Sequence, residues 1–145
     1  MNENYNYSQL IGYQVIKGEV LIKRKILKLF RENGFDLTFE QWTVMNVLYA
    51  EPGLIQSKIA DKTFKDKTNI TRILDILGKK GFVERIKIND DRRSYSIYLT
   101  SAGRNILEKL IPCVNQTNKQ FLENISPGEL KIFIKILKKI CSNAE

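Results

Sequence analysis

Residues 66–100 read DKTNITRILDILGKKGFVERIKINDDRRSYSIYLT. Asp66 is placed to cap a helix through its carboxylate. Ile70, Ile73, Leu74 and Leu77 follow at i, i+3, i+4 and i+7, so Thr68, Arg72, Asp75 and Lys79 fall on the opposite face. Gly81 stops that helix, with Phe82 set to pack back on Leu77 as in a Schellman ending. Gly78, inside the helix, costs about 1 kcal/mol against alanine and asks for compensation by packing. Two short strands, 84–88 and 95–99, then alternate, with Ile86, Ile88, Tyr95, Ile97 and Leu99 predicted on one face. Residues 89–94 between them are too many and too charged for a tight turn, and predict a projecting loop. The order describes a helix able to enter a DNA groove, with a β-hairpin arm beside it.

Outward from this stretch the chain reads as helical. A long helix over about 8–31 carries apolar residues on more than one face, which calls for cover on two sides, by the core and by a partner subunit. Gly34 ends it. Thr38 and Gln41 form a capping box for a helix bearing Val44, Met45 and Leu48, with Trp42 on the same apolar stripe. A short helix at about 56–62 precedes the turn at residues 63–65. Thr100 caps a helix reaching to about 124, in which Pro112 predicts a kink or break. Ser126, Pro127 and Glu129 open a last helix through a cap, a first-turn proline and a capping-box glutamate.

With 145 residues, 43% hydrophobic and 28% charged, the chain is most simply one domain with a proper core. Its net charge of +8 favours an acidic partner, nucleic acid before a membrane surface. It has no histidine, which removes the Ser-His-Asp triad, His-based general base catalysis and the commonest metal ligand. Cys113 and Cys141 are far apart and predict neither a zinc site nor a disulfide framework; small buried hydrophobes are the expectation for both. No catalytic constellation, phosphate loop, metal cluster or cofactor motif is evident, so an enzyme is not expected. The first ten residues, MNENYNYSQL, lack the pattern of a signal peptide, and no segment is apolar enough to span a bilayer. The expectation is a cytoplasmic protein with reduced thiols and no membrane association.

Three passages together resemble the MarR family of bacterial and archaeal transcription regulators. One runs from DKTNITR at 66–72 into KKGFVER at 79–85. Another is the wing tip Asp91-Arg92-Arg93, and the third is LTSAGR at 99–104. The resemblance implies a single, mainly α domain over residues 1–145. Within it, 35–100 would be a winged helix-turn-helix with a two-stranded β-hairpin wing, and 8–34 with 101–142 a helical dimerisation region. It implies a homodimer, a recognition helix at 66–80 in the major groove, a wing at 89–94 in the minor groove, and a small-molecule effector pocket between the two regions. Asp91 would brace the wing by pairing with Arg93 or a neighbouring arginine. Thiol-sensing and zinc-responsive members place cysteines and histidines where this chain has none. Phe64 and Lys65 stand where a glycine and an aliphatic residue are usual, with Phe64 expected to supply the missing apolar contact.

The residues suit these roles. Eleven Lys/Arg against six Asp/Glu lie between residues 58 and 93. Lys67, Thr68, Asn69, Thr71 and Arg72 sit at a helix start, where base edges and phosphates are most easily reached. Arg72 suits guanine and Asn69 suits adenine, whereas Lys79 and Lys80 are assigned to phosphates. Arg92 and Arg93 suit a narrow minor groove. Tyr13 and Trp42 are candidate ligand contacts, although plain core is the simpler reading of Trp42. The expected partner is double-stranded DNA carrying a pseudo-palindromic operator, and the expected function a ligand-relieved repressor. A non-specific chromosomal DNA- or RNA-binding protein is the alternative.

Overall fold

The computed structural model describes residues 5–89 and 94–145. A short 3-10 turn, Tyr7–Gln9, precedes α1 (Ile11–Glu32) and α2 (Phe39–Ala50). Strand β1 (Leu54–Ile55) leads into α3 (Gln56–Thr63) and α4 (Lys67–Lys79). The hairpin strands β2 (Val83–Lys87) and β3 (Tyr95–Leu99) are followed by α5 (Ser101–Phe121) and α6 (Pro127–Ala144). The fold is mainly helical, with an antiparallel sheet in the order β1-β3-β2. The hairpin therefore has a third strand, in which Leu54 pairs with Ile97.

The helix starts are held by side chains at the expected positions. Thr38 with Gln41, and Ser126 with Glu129, form capping boxes in which both reciprocal bonds are made. Thr100 Oγ1 accepts from the Gly103 amide at 3.1 Å. At the far end of α4, the Phe82 amide donates to the Leu77 carbonyl at 2.9 Å and the Gly81 amide to Gly78 at 3.0 Å. This is the Schellman pair, with Gly81 at φ 75°. The first helix is shorter than expected, because Leu10 is extended and separates the 3-10 turn from α1.

The main core lies where α1, α2, α3, α4, the sheet and α5 meet. Phe30, Val44, Met45, Leu48, Ile59, Ile70, Leu74, Leu77, Ile97, Leu107 and Leu110 are buried there. The four stripe residues of α4 are all buried, as its helical period requires. By contrast α6 has no buried residue, and Ile132 and Phe133 are about 60% exposed (59% and 61%). Ile11, Val15, Ile16, Val20 and Leu21 on α1 are exposed as well.

Several expectations are corrected. Ile86 and Ile88 do not share a face with Tyr95, Ile97 and Leu99. Val83 is paired with Leu99, Arg85 with Ile97 and Lys87 with Tyr95, while Ile86 lies opposite Ser96. The Thr100 amide donates to the Phe82 carbonyl at 3.0 Å, and this bond sets the register one residue away from the expected phase. A shift of one residue turns every side chain over, so Ile86 is half exposed. Pro112 does not break α5; buried Leu107, Leu110 and Thr117 anchor the helix on either side of it. Phe64 supplies no apolar contact: it is 96% exposed, at φ 55°. Within one chain Cys113 is half-buried and Cys141 exposed; the burial expected of them is against a second copy.

Two glycines lie at opposite extremes of packing. A Cβ on Gly103 would stand 2.1 Å from the Phe82 carbonyl oxygen, backbone that the Thr100 clasp cannot release. A Cβ on Gly78 would meet nothing within 4 Å, so packing within the chain does not offset its cost. Gly103→Ala is expected to destabilise by about 1–3 kcal/mol through overpacking, and Gly78→Ala to stabilise by about 1 kcal/mol. Chemical denaturation of the two variants checks both signs.

Candidate nucleic-acid interface

The outward face of α4 follows from the burial of its other face. With Ile70, Ile73, Leu74 and Leu77 inside, Lys67, Thr68, Asn69, Thr71, Arg72, Asp75 and Lys79 are all exposed. The start of the helix is organised by Asp66. Its Oδ1 accepts from the Asn69 amide at 2.8 Å, and its Oδ2 accepts from the Asn69 side-chain Nδ2 at 2.7 Å. The backbone bond from Asn69 holds the Asp66 carboxyl below its ordinary pKa, so it remains ionised at neutral pH.

Asn69 is thereby engaged on both sides, since its Oδ1 also accepts from Arg72 Nη2 at 3.5 Å. That long bond leaves most of the guanidinium donors available to a partner. Asn69 as it stands positions Arg72, and reading an adenine would require it to leave Asp66. Thr71 is engaged too: its hydroxyl donates to the Lys67 carbonyl at 2.9 Å and accepts from Gln56 Nε2. Gln56 also donates to the Lys67 carbonyl at 3.2 Å, tying the start of α3 to the start of α4. Lys67, Thr68 and Lys79 are exposed on the same helix.

Two ion pairs set the direction of α4. Arg85 on β2 bonds Asp75 at 2.7 Å, joining the wing base to α4. Lys80 bonds Asp36 at 3.0 Å, fixing the other end to the segment between α1 and α2. Sequence reading missed Gln56, Arg85, Asp75 and Asp36, because each acts across 10 to 44 residues of chain. A cleft of about 310 Å³ lies between the start of α3, the first residue of α4 and the hairpin strands, with Gln56, Ser57, Lys67 and Arg85 on its walls. Asp91, Arg92 and Arg93 lie outside the described residues.

A second feature lies on the other side of α2. A cavity of about 640 Å³ is bounded by α1, α2, α5, α6 and the segment joining the last two. Trp42 lines it, half-buried, with its ring 5.3 Å from Phe39 and 5.8 Å from Phe30 between centroids. Tyr13 does not line it and stands against Tyr7 at 5.1 Å. Among the described residues no group of three or more His, Cys, Asp or Glu is placed to hold a metal. No helix there is long and apolar enough to cross a membrane.

The MarR family model matches residues 37–95, from just before α2 to the first residue of β3. The transcriptional regulator HosA of Escherichia coli O157:H7 is 28% identical over 105 residues, covering 72% of this chain and 78% of HosA. The HTH-type transcriptional regulator SarZ of Staphylococcus haemolyticus is 27% identical over 143 residues, 99% of this chain and 94% of SarZ. Among solved structures, the transcriptional repressor CouR bound to a 23-mer DNA duplex is 26% identical with a TM-score of 0.83. That match covers 92% of this chain and 94% of CouR.

The cap at Asp66 gives the helix start a pH dependence of known sign. A carboxyl with a lowered folded pKa stabilises above its unfolded pKa and ceases to do so as pH falls through the folded value. The midpoint difference between wild type and Asp66→Ala in thermal unfolding should be constant at neutral pH. It should shrink only in acid, below the ordinary carboxylate range. A difference independent of pH would mean that the charge of Asp66 plays no part.

Proposed function

We propose that the chain, whose residues 37–95 match the MarR family model, is a sequence-specific DNA-binding transcription regulator and acts as a homodimeric repressor. It would bind a pseudo-palindromic operator and leave it when a small effector binds. The observation that carries the reading is the outward face of α4, where Lys67, Thr68, Asn69, Arg72 and Lys79 stand exposed together beside the wing. In this reading α4 enters the major groove, Arg72 grips a guanine, and Thr68 contacts a base or phosphate. Lys67 and Lys79 neutralise phosphates. Arg92 and Arg93 are assigned to the minor groove and Asp91 to bracing them, on the grounds of sequence alone.

Dimerisation is supported by the exposed apolar faces of α1 and α6, which a second copy would cover. Repression is supported by the likeness to CouR, itself a repressor bound to DNA. Effector relief is supported by the position of the cavity. A molecule seated between α2 and the α5–α6 pair would favour one arrangement of the DNA-binding lobe over another, a coupling of typically ~1–3 kcal/mol. The site of action would be the cytoplasm.

Fluorescence anisotropy with operator and scrambled duplexes at two salt concentrations tests the assignment. Arg72→Ala is expected to lose ~1–3 kcal/mol on the operator and to relax preference at one base position, with little change on scrambled DNA. Equal losses on both duplexes would make Arg72 a phosphate contact. Equal wild-type affinity for both duplexes at each salt concentration would favour the non-specific alternative.

A further inference from the structure

The charge on the cavity wall carries an inference about what enters it, resting on the reading of that cavity as the effector site. Its volume of about 640 Å³ is that of a site for a drug-sized molecule. Most of its wall is apolar, with Phe39, Trp42, Phe121 and Phe133 supplying four aromatic rings. Besides the Trp42 indole N–H, the polar side chains on the wall are Asn115, Asn118 and Glu129. The chain has 24 Lys and Arg, yet among the described residues none lines this cavity.

Lys23 stands near it, 5.2 Å from the centre of the Phe39 ring. Its ammonium is already taken up by Glu19 at 2.9 Å and Glu40 at 3.4 Å. Glu129 is the charged group on the wall. Its Oε2 accepts from the Ser126 amide at 2.7 Å, so the capping box holds the carboxylate in place. The Asn115 and Asn118 amides lie one turn apart on α5, each able to donate and to accept.

We propose that the effector is an apolar molecule that is neutral or cationic, and that carboxylate anions are rejected. Three physical terms point the same way. An anion leaving water for this wall would find no cation of the same chain, among the described residues, to compensate its lost hydration. The carboxylate of Glu129, on the exposed edge of the wall, repels an anion and attracts a cation, with a strength that water and salt screen. The aromatic rings attract a cation through their faces, while the paired asparagines suit an uncharged amide, hydroxyl or carbonyl.

Three adamantane derivatives of matched shape separate these terms: the carboxylate, the carboxamide and the ammonium. Each is titrated into the full-length protein by calorimetry and by emission of Trp42, the only tryptophan in the chain. The amide and the ammonium should bind at least about tenfold tighter than the carboxylate. In Glu129→Gln, which keeps a capping-box residue at that position, the ammonium should lose much of its margin over the amide. A carboxylate that binds as tightly as the amide, with Trp42 responding, would overturn the proposed ligand class while leaving the cavity as the effector site. It would also imply a cation contributed by a second copy. No saturable response to any of the three would remove the cavity as effector site and the ligand-relief reading with it, while leaving DNA binding to be judged by anisotropy.

Discussion

An 18-residue helix with Ile132, Phe133 and Ile136 in water gains little from its own chain, and isolated helices of this length are marginal. The long N-terminal stretch of α1 is in the same position, with only Ile26 and Phe30 buried near its end. These two surfaces are the constraint on which the rest depends. Apolar burial stabilises by roughly 25 cal/mol per Å², and obligate homodimer interfaces bury ~2,000 Å² or more. Cover by a second copy would therefore be a major source of stability for α1 and α6. It would also fix the distance between two α4 helices, which is the quantity a palindromic site measures.

Within one chain the DNA-binding lobe is built to keep its direction. The Asp66 cap, the Schellman end at Gly81 and the Thr100 clasp on Phe82 hold both ends of α4 and the strand beyond it. Arg85–Asp75 and Lys80–Asp36 then bind the helix to the wing base and to the segment ahead of α2. Surface ion pairs contribute little to stability on their own. Their value here is orientation: on the proposed reading, Arg72 would have to arrive at a base edge within a hydrogen-bond distance. The cavity lies between this braced lobe and the helices that would carry the second copy, where a bound ligand would have the leverage to alter their relation.

Much of this was legible in the sequence because it is local. Caps at Thr38, Asp66, Thr100 and Ser126 and the α4 stripe all depend on residues within a few positions, and each is realised as read. The phase of β2 was not legible, because the run VERIKI carries apolar residues in both alternations and its register comes from Thr100 pairing with Phe82. The exposure of Phe64 and the persistence of α5 through Pro112 depend on tertiary surroundings that no short window contains. The same holds for the interface: exposure of Lys67 and Arg72 follows from helical period, whereas the engagement of Thr71 by Gln56 requires two helices to meet. Trp42 is at once core and cavity wall, which a stripe cannot distinguish; Tyr13 instead turns to Tyr7.

Selection of binding sites from a random duplex pool with the full-length protein tests the central claim most directly. Two inverted half-sites with centres ~34–36 Å apart along the helix would be the mark of a dimer presenting two α4 helices to successive major grooves. Enrichment of a single unrepeated motif would contradict the dimeric geometry, and no enrichment at all would contradict base reading by α4.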